Sequence, residues 1–348
     1  MEIPIVEDFR RVPEGVDLDL LLECEFAPAK WAIYTTAVEH RLFDHLEEPL
    51  SAEELARRAG FHPKVTRYLL DALVGLRLVI KREGRYENSP TARAVLARWG
   101  YVFSSIKHNP FWRRLGELLA GERLEPLEGE EERWDDLAMQ RHYALRALAG
   151  EFQATLRLME GAGVFSRVRR FIDLGGGHGI FAIGFVKTHP ELEGAVLDLP
   201  QVVPITRRFL EAYKLAGKIE TIPGDLYKDP IPGRYDLAFM SDVSPGRDEA
   251  RIVIKKAYDA LEDGGVLVIK DMIPHRDWSE SFPQLAHQLL ILIHQGDPDE
   301  FELIPTAEEL LELMREAGFT GGKFLGWIRG WCTVVMGVKA VATAGSNV

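Results

Sequence analysis

The stretch FIDLGGGHGI, from Phe171 to Ile180, restricts the fold of this 348-residue chain more than any other. Four of its ten residues are glycine, and an apolar run ending in Asp173 stands ahead of them. This pattern predicts a strand that ends in a tight loop and opens a helix. Glycines let the loop turn sharply and let a ligand approach the backbone, and the free N–H groups of the helix start give a polar lining. The texture from about residue 168 onward agrees. The runs RRFIDLGGG, GAVLDLP, IETIPGD, YDLAFMSDV and GGVLVIKDMI are short and apolar, and helical stretches such as DEARIVIKKAYDAL separate them. Strands alternating with helices predict a mostly parallel α/β sheet covered on both faces. The final GGKFLGWIRGWCTVVMGVKA predicts an antiparallel hairpin.

The front half reads differently. LLLECEFAPAKWAIYTTAVEHRLFDHL has helical spacing. Ser51 with Glu54 makes a capping box, Gly60 ends that helix, and a second helix follows Pro63 to about Leu76. LVIKREGRYENS then predicts a hairpin turning at Glu83-Gly84. Helix, turn, helix and hairpin make a winged-helix pattern. Residues 51–98 carry ten Lys/Arg against five Asp/Glu. The second helix is mostly apolar, however, with Lys64, Thr66, Arg67 and Asp71 as its polar members. A groove-reading helix needs a polar outer face, so a structural or dimer-forming role is favoured over DNA reading. The expected organisation is a winged-helix-like dimerisation domain over 1–100, connecting helices over 101–165 and an α/β domain over 166–348.

Net charge is −12, which argues against a general nucleic-acid binder and against an anionic membrane partner. The two cysteines, Cys24 and Cys332, exclude a disulfide scaffold and suit a reducing, cytoplasmic setting. No apolar run approaches the roughly 20 residues of a membrane helix, and no Cys/His cluster has zinc spacing.

A glycine loop alone is weak evidence, so spacing must discriminate. A dinucleotide fingerprint starting at Gly175 requires glycine at position 180, which is Ile180; a Walker lysine is also absent. The pattern present is Asp173, Gly175, Gly177, Gly179. The second strand ends in Asp198, 19 residues after Gly179, where an acceptor-only carboxylate can take two ribose hydroxyls. The third ends at Asp225 and the fourth at Ser241 and Asp242. Three acidic strand ends suit a phosphate-free nucleoside with a positive centre and would repel a pyrophosphate. Each has a plainer alternative: Gly176 as packing, Asp225 as a helix N-cap, Asp242 as a turn cap.

DLGGGHG, LDLPQVV, GDLY and ALEDGGVLVIKDMI resemble the class I S-adenosylmethionine-dependent methyltransferases. With the winged-helix front, the chain looks like the two-domain small-molecule O-methyltransferases, over about residues 25–340. The resemblance implies a Rossmann-like, doubly wound, mostly parallel sheet with an antiparallel C-terminal hairpin, preceded by an α-helical winged-helix domain. It also implies S-adenosylmethionine as cofactor, a small-molecule acceptor and a homodimer. Carried over by position, Gly175, Gly177 and Gly179 would line the methionine part of the cofactor. Asp198 and Leu199 would hold the ribose, Asp225 and Leu226 would flank the adenine, and Ser241 would lie near the sulfonium.

One departure matters. The family's base is a histidine after the fourth strand, and Pro245 stands about there in MSDVSPGRDEA. Two explanations stay open. His287 or His294, seven apart and hence on nearly one helix face, can supply the base, with His287 preferred. The placing of His287 also resembles the bacteriochlorophyllide C-methyltransferase branch. Alternatively, alignment alone supplies the rate and the acceptor is already anionic or a ring carbon. Phe111, Trp112, Met272, Trp278 and Phe282 are candidates to line an apolar acceptor pocket, and each is also ordinary core material. Metal-independent transfer is expected. The rival readings are a hydroxylase or decarboxylase on the same fold, and a ligand-sensing winged-helix regulator.

Overall fold

In a computed structural model, which describes residues 3–12, 18–93, 110–127, 134–243, 246–273, 282–299, 304–328 and 332–341, the capping box at Ser51 forms as its spacing predicts. Glu54 N donates to Ser51 Oγ at 3.1 Å and Ser51 N donates to Glu54 Oε2 at 2.8 Å. The helix it starts, Ala52–Ala59, ends at Gly60, and Pro63 opens the next, Pro63–Gly75. Strands β1 (Val79–Arg82) and β2 (Arg85–Asn88) pair antiparallel. Glu83 and Gly84 between them both have positive φ, the turn that matches strand twist in a two-residue hairpin. Of the four polar residues on the second helix, Thr66 and Asp71 are buried. Asp71 accepts from Lys81 Nζ and Tyr86 Oη, both at 2.7 Å, which ties the helix to the hairpin. That spends two of the helix's four polar groups inside the fold, where they cannot read a groove.

These elements belong to one compact unit, residues 19–131 and 274–303; the other unit comprises residues 1–18, 132–273 and 304–348. The expected boundaries run consecutively, whereas the Phe282–Gln295 helix clusters with the front elements. The reason is its apolar face. Leu285, Ala286, Leu289, Leu292 and Ile293 are all buried, and the helix packs on Pro63–Gly75 and Pro110–Leu119. Arg114 Nε also donates to Ile293 O at 3.0 Å, and Leu124 N to Gly296 O at 2.9 Å.

In the second unit the described residues form one seven-stranded sheet. Its strands are β3 (Arg170–Leu174), β4 (Glu193–Asp198), β5 (Ile219–Pro223), β6 (Tyr235–Ser241), β7 (Leu261–Asp271), β8 (Phe319–Ile328) and β9 (Cys332–Lys339). The order is β5-β4-β3-β6-β7-β9-β8. The first five are mutually parallel, and β9 runs antiparallel between β7 and β8. The order reverses between β3 and β6, which makes their carboxyl ends the switch point where such sheets bind ligands. Helices Ile180–Thr188, Val203–Ala212, Arg247–Ala260 and Ala307–Ala317 alternate with these strands. The central strands are buried without alternation, as β3 is from Phe171 to Leu174, because both faces are covered. Phe171, Phe181, Phe185 and Phe239 pack edge-on or tilted against one another in the core there. Among the described residues, no helix is long and apolar enough to cross a membrane.

Candidate active site

The glycine loop follows β3 at the switch point. Gly175, Gly177 and Gly179 all have positive φ. At Gly175 the need is double: φ is +70°, and a Cβ would stand 2.8 Å from Val243, just beyond the end of β6. The loop is therefore pressed against the neighbouring strand end, and a side chain would push them apart. A Cβ on Gly177 would meet Gln140 Oε1 at 2.8 Å, so the Leu137–Arg146 helix borders the loop on another side. Gly176 is there for space, since a Cβ would lie 2.7 Å from Asp173 Oδ2 and 2.8 Å from Val196. Thr206 Oγ1 donates to Gly177 O at 2.6 Å.

Asp198 ends β4 beside this loop. Its Oδ2 accepts from Gly177 N at 2.6 Å and its Oδ1 from Leu199 N at 2.7 Å. Burial raises the Asp198 pKa, and these two N–H bonds oppose the rise. A carboxylate has about four lone-pair sites, so each oxygen keeps capacity for a further donor. Asp173 lies beneath the loop and is 1% exposed; the Ala182 backbone N–H is the one neighbour that favours its charged form. Burial, with the Asp198 charge adding, pushes Asp173 up to about 8.

Asp225, Ser241 and Met272 lie at or just after the carboxyl ends of β5, β6 and β7, with roles of their own. Asp225 caps a turn: its Oδ1 accepts from Tyr227 N at 2.9 Å, and its Oδ2 pairs with Lys228 at 2.6 Å. The capping alternative thus forms at a turn. Leu226 is buried in the core. Ser241 Oγ donates to Asp242 Oδ2 at 3.1 Å. Met272 is buried just after β7. His294 is half-buried in the Phe282–Gln295 helix, and its carbonyl accepts from Leu127 N at 3.1 Å. Pro245 and Trp278 lie outside the described residues. So do the side chains of Phe111, Trp112, Phe282 and His287, whose backbones are helical.

Four charged residues that spacing did not single out together meet at the ends of β6 and β7. Lys270 Nζ, fully buried, donates to Asp242 Oδ2 at 2.5 Å and to Glu151 Oε2 at 2.9 Å. Arg146 Nε pairs with Glu151 Oε1 at 2.8 Å, and its Nη2 lies 3.8 Å from Asp242 Oδ2. Burial lowers the Lys270 pKa, but the carboxylates, Asp242 foremost, raise it above the ordinary value. Burial raises the Asp242 pKa, and Lys270 with Arg146 outweighs it, so Asp242 is held below the usual range. The cluster is assembled by a kink. Gly150, at φ 140° inside the π-turn Ala147–Glu151, takes a conformation closed to other residues and sets Glu151 between the two cations. His178, in the loop itself, is buried and accepts from Ile180 N at 3.1 Å through Nδ1. Burial lowers its pKa to about 3 against the pull of Asp242. A signal for the cluster was present in the sequence: Lys270 interrupts the apolar run VLVIKDMI, and a lysine in a strand covered on both faces must be paired. Among the described residues, no group of three or more His, Cys, Asp or Glu is arranged to hold a metal ion.

Comparison with known proteins shows the family. Residues 137–320 match the O-methyltransferase domain, and residues 29–98 match the O-methyltransferase dimerisation domain. The chain belongs to the O-methyltransferase family. It is 31% identical over 301 residues to the tetracenomycin polyketide synthesis 8-O-methyl transferase of Streptomyces glaucescens, covering 82% of this chain and 86% of that one. It is 25% identical over 280 residues to the bacteriochlorophyllide d C-20 methyltransferase of Chlorobaculum tepidum, covering 73% and 78%. In fold it is similar to an O-methyltransferase family 2 protein from Planctomyces limnophilus, solved in complex with apigenin. The TM-score is 0.73 at 24% identity, over 96% of this chain and 99% of that one.

The chain is an S-adenosylmethionine-dependent methyltransferase of the small-molecule O-methyltransferase type. The residues at the edge fit that cofactor. The Asp198 carboxylate favours a cation over a phosphate and retains acceptor sites for hydroxyls, and Asp173 beside it, pushed up to about 8, is neutral at pH 7. Gly175 and Gly177 leave backbone where side chains would collide with Val243 and Gln140.

Proposed function

We propose that this methyltransferase acts on a hydroxyl of a polycyclic aromatic acceptor, with His287 as the general base, and that it works as a homodimer. The observation that carries the acceptor class is the 31% identity to a polyketide 8-O-methyltransferase. That identity exceeds the 25% to the C-20 methyltransferase, which favours oxygen over carbon as the nucleophile. The dimer rests on the match of residues 29–98. In this reading residues 1–100 pair the protomers, 101–165 connect, and 166–348 carry the donor site.

Asp198 takes the two ribose hydroxyls, Gly175, Gly177 and Gly179 admit the methionine part, and Ser241 stands beside the sulfur. Leu199 backs the ribose, with Asp225 and Leu226 beside the adenine. Bound S-adenosylmethionine supplies an electrophilic methyl group on a sulfonium that leaves readily. The protein's tasks are alignment and removal of the hydroxyl proton. A phenol with a pKa near about 10 is a weak nucleophile at neutral pH. Proline at position 245 cannot take its proton, whereas a neutral histidine is suited to do so. The apolar candidates Phe111, Trp112, Met272, Trp278 and Phe282 would surround the rings, and His294 is the reserve base.

The test is methyl transfer from radiolabelled donor to a panel of hydroxylated polycyclic arenes. His287→Ala should lower kcat by about 100-fold or more and leave the donor Kd unchanged. Full turnover by that variant removes His287 as base. Donor binding without transfer to any hydroxylated arene refutes the acceptor class.

A further inference from the structure

The connection from β5 to β6, residues 224–234, passes β4 and β3 without a helix. The connections β3–β4, β4–β5 and β6–β7 each carry one. A helix satisfies its own carbonyls, whereas an irregular crossover must find donors elsewhere. Lys256, on the Arg247–Ala260 helix, supplies them. Its Nζ donates to Leu226 O at 3.0 Å, to Tyr227 O at 2.7 Å and to Asp229 O at 2.8 Å. All three N–H donors of the ammonium are thereby used on one turn, and bonds from a charged donor are the stronger kind. Leu226 and Tyr227 pack on the same apolar cluster as Val253 and Ala257 of that helix, so the turn is held by side chains as well as by carbonyls. Asp225 heads the turn. Its N–H donates to Asp229 Oδ2 at 2.8 Å, its Oδ1 accepts from Tyr227 N at 2.9 Å and Lys228 N at 3.3 Å, and its Oδ2 accepts from Lys228 Nζ at 2.6 Å. With about four lone-pair sites, the carboxylate keeps room on Oδ2 for one more donor. The turn sets the direction of that oxygen, and Lys256 holds the turn.

We propose that Lys256 is a positioning residue for the base of the methyl donor. By clamping the backbone of residues 226–229 it aims Asp225 Oδ2 at the exocyclic amine of adenine, and so sets the preference for adenine over a purine without that amine. The proposal rests on the reading that Asp225 and Leu226 stand beside the adenine. An amine donates and a carboxylate only accepts. A purine with a carbonyl in place of the amine sets two acceptors against each other. A site built to take a hydrogen bond rejects such an analogue, because its own polar group is then left without a partner. Lys256 need not touch the donor for this: it acts through the backbone it holds.

The experiment uses the full-length enzyme and two probes, S-adenosylhomocysteine and S-inosylhomocysteine, which differ at the amine-bearing edge of the purine. Their dissociation constants are measured by calorimetry. The wild type should prefer the adenosyl probe by about tenfold or more, the worth of one hydrogen bond to a charged acceptor. Lys256→Met should bring the two constants together by weakening the adenosyl probe alone, because the ribose and amino-acid contacts are common to both. Lys256→Gln, which keeps a single amide donor, should also lower the preference, and it serves if the methionine variant does not fold. Asp225→Asn, which puts a donor where an acceptor stood, should remove the preference with Lys256 in place. A preference lost in Asp225→Asn but kept in both Lys256 variants overturns the proposal alone. So does an equal loss of affinity for both probes in a Lys256 variant, since that marks a lysine that only stabilises the fold. A wild type without preference, or a preference that survives Asp225→Asn, refutes the placing of Asp225 at the adenine, and the proposal falls with it.

Discussion

The glycine loop and the charge cluster lie at the same edge of the same sheet and are built on opposite terms. In the loop the side chains are withdrawn, and one carboxylate, Asp198, gathers the backbone N–H groups of Gly177 and Leu199. In the cluster the side chains do everything. Two cations and two carboxylates from Arg146, Glu151, Asp242 and Lys270 close on one another with little help from backbone. The loop is thus poised to bind something else, while the cluster is already satisfied by itself. A substitution in the first should be read in ligand affinity, and one in the second in stability.

Lys270→Met is the most direct way to break that distinction. It leaves the buried Glu151 and the 31%-exposed Asp242 to share Arg146, and removal of one partner from a buried ion pair typically costs about 3–5 kcal/mol. Chemical denaturation of the donor-free enzyme measures it. The double variant Lys270→Met/Glu151→Gln restores the charge balance and should recover a large part of the loss. If both variants are equally destabilised, packing rather than charge balance holds the cluster together.

Asp198→Ala is the counterpart in the loop. Two hydrogen bonds from ribose hydroxyls to a charged acceptor, at about 1.5 kcal/mol each, correspond to a loss of about 100-fold in donor affinity, read by calorimetry. Stability should fall by only about 1 kcal/mol, from the freed N–H groups of Gly177 and Leu199, which water can reach once the side chain is gone. A change in stability as large as that of Lys270→Met would mean that Asp198 is chiefly a brace for the loop.

The unequal legibility of the two regions follows from the same contrast. The strands, the capping box at Ser51, the hairpin turn at Glu83-Gly84 and the loop itself are local patterns, written within a few residues of one another. The cluster is spread from position 146 to position 270, and its assembly turns on the φ of Gly150, an angle that composition does not reveal. Asp225 shows the reverse problem: its place at the strand edge and its capping were legible, but the cap forms at a turn rather than a helix, and its pairing with Lys228 was not legible. The Phe282–Gln295 helix shows another limit, because its apolar face fits several neighbours equally well on paper. The partner it takes depends on which other apolar faces remain uncovered.

The smallest effect tests whether the loop and the cluster share an electrostatic environment, and its sign follows from two opposed titrations. Asp173 titrates at about 8 in the fold and near about 3.9 when unfolded. Between those limits the folded chain holds a proton that the unfolded chain has lost. Its contribution is full below about 3.9 and is lost as pH rises through 8. His178 does the opposite, with a folded value of about 3 against about 6.5 unfolded. Its contribution is full above about 6.5 and is lost as pH falls toward 3. Each has a limiting slope of about 1.4 kcal/mol per pH unit. From about pH 4 to 6.5 the two cancel. Above about 6.5 only Asp173 acts, so stability should drop by about 2 kcal/mol between pH 6.5 and 8. Asp173→Asn should remove that drop and leave a rise with pH below 6.5. His178→Gln should extend the drop down to about pH 4. Denaturation midpoints collected across this range give both slopes. Because His178 faces the charges of Asp242, Arg146 and Lys270, repeating the series in the charge-balanced Lys270→Met/Glu151→Gln background should shift the His178 limb and leave the Asp173 limb in place. Limbs that moved together would show that the loop and the cluster titrate as one system rather than two.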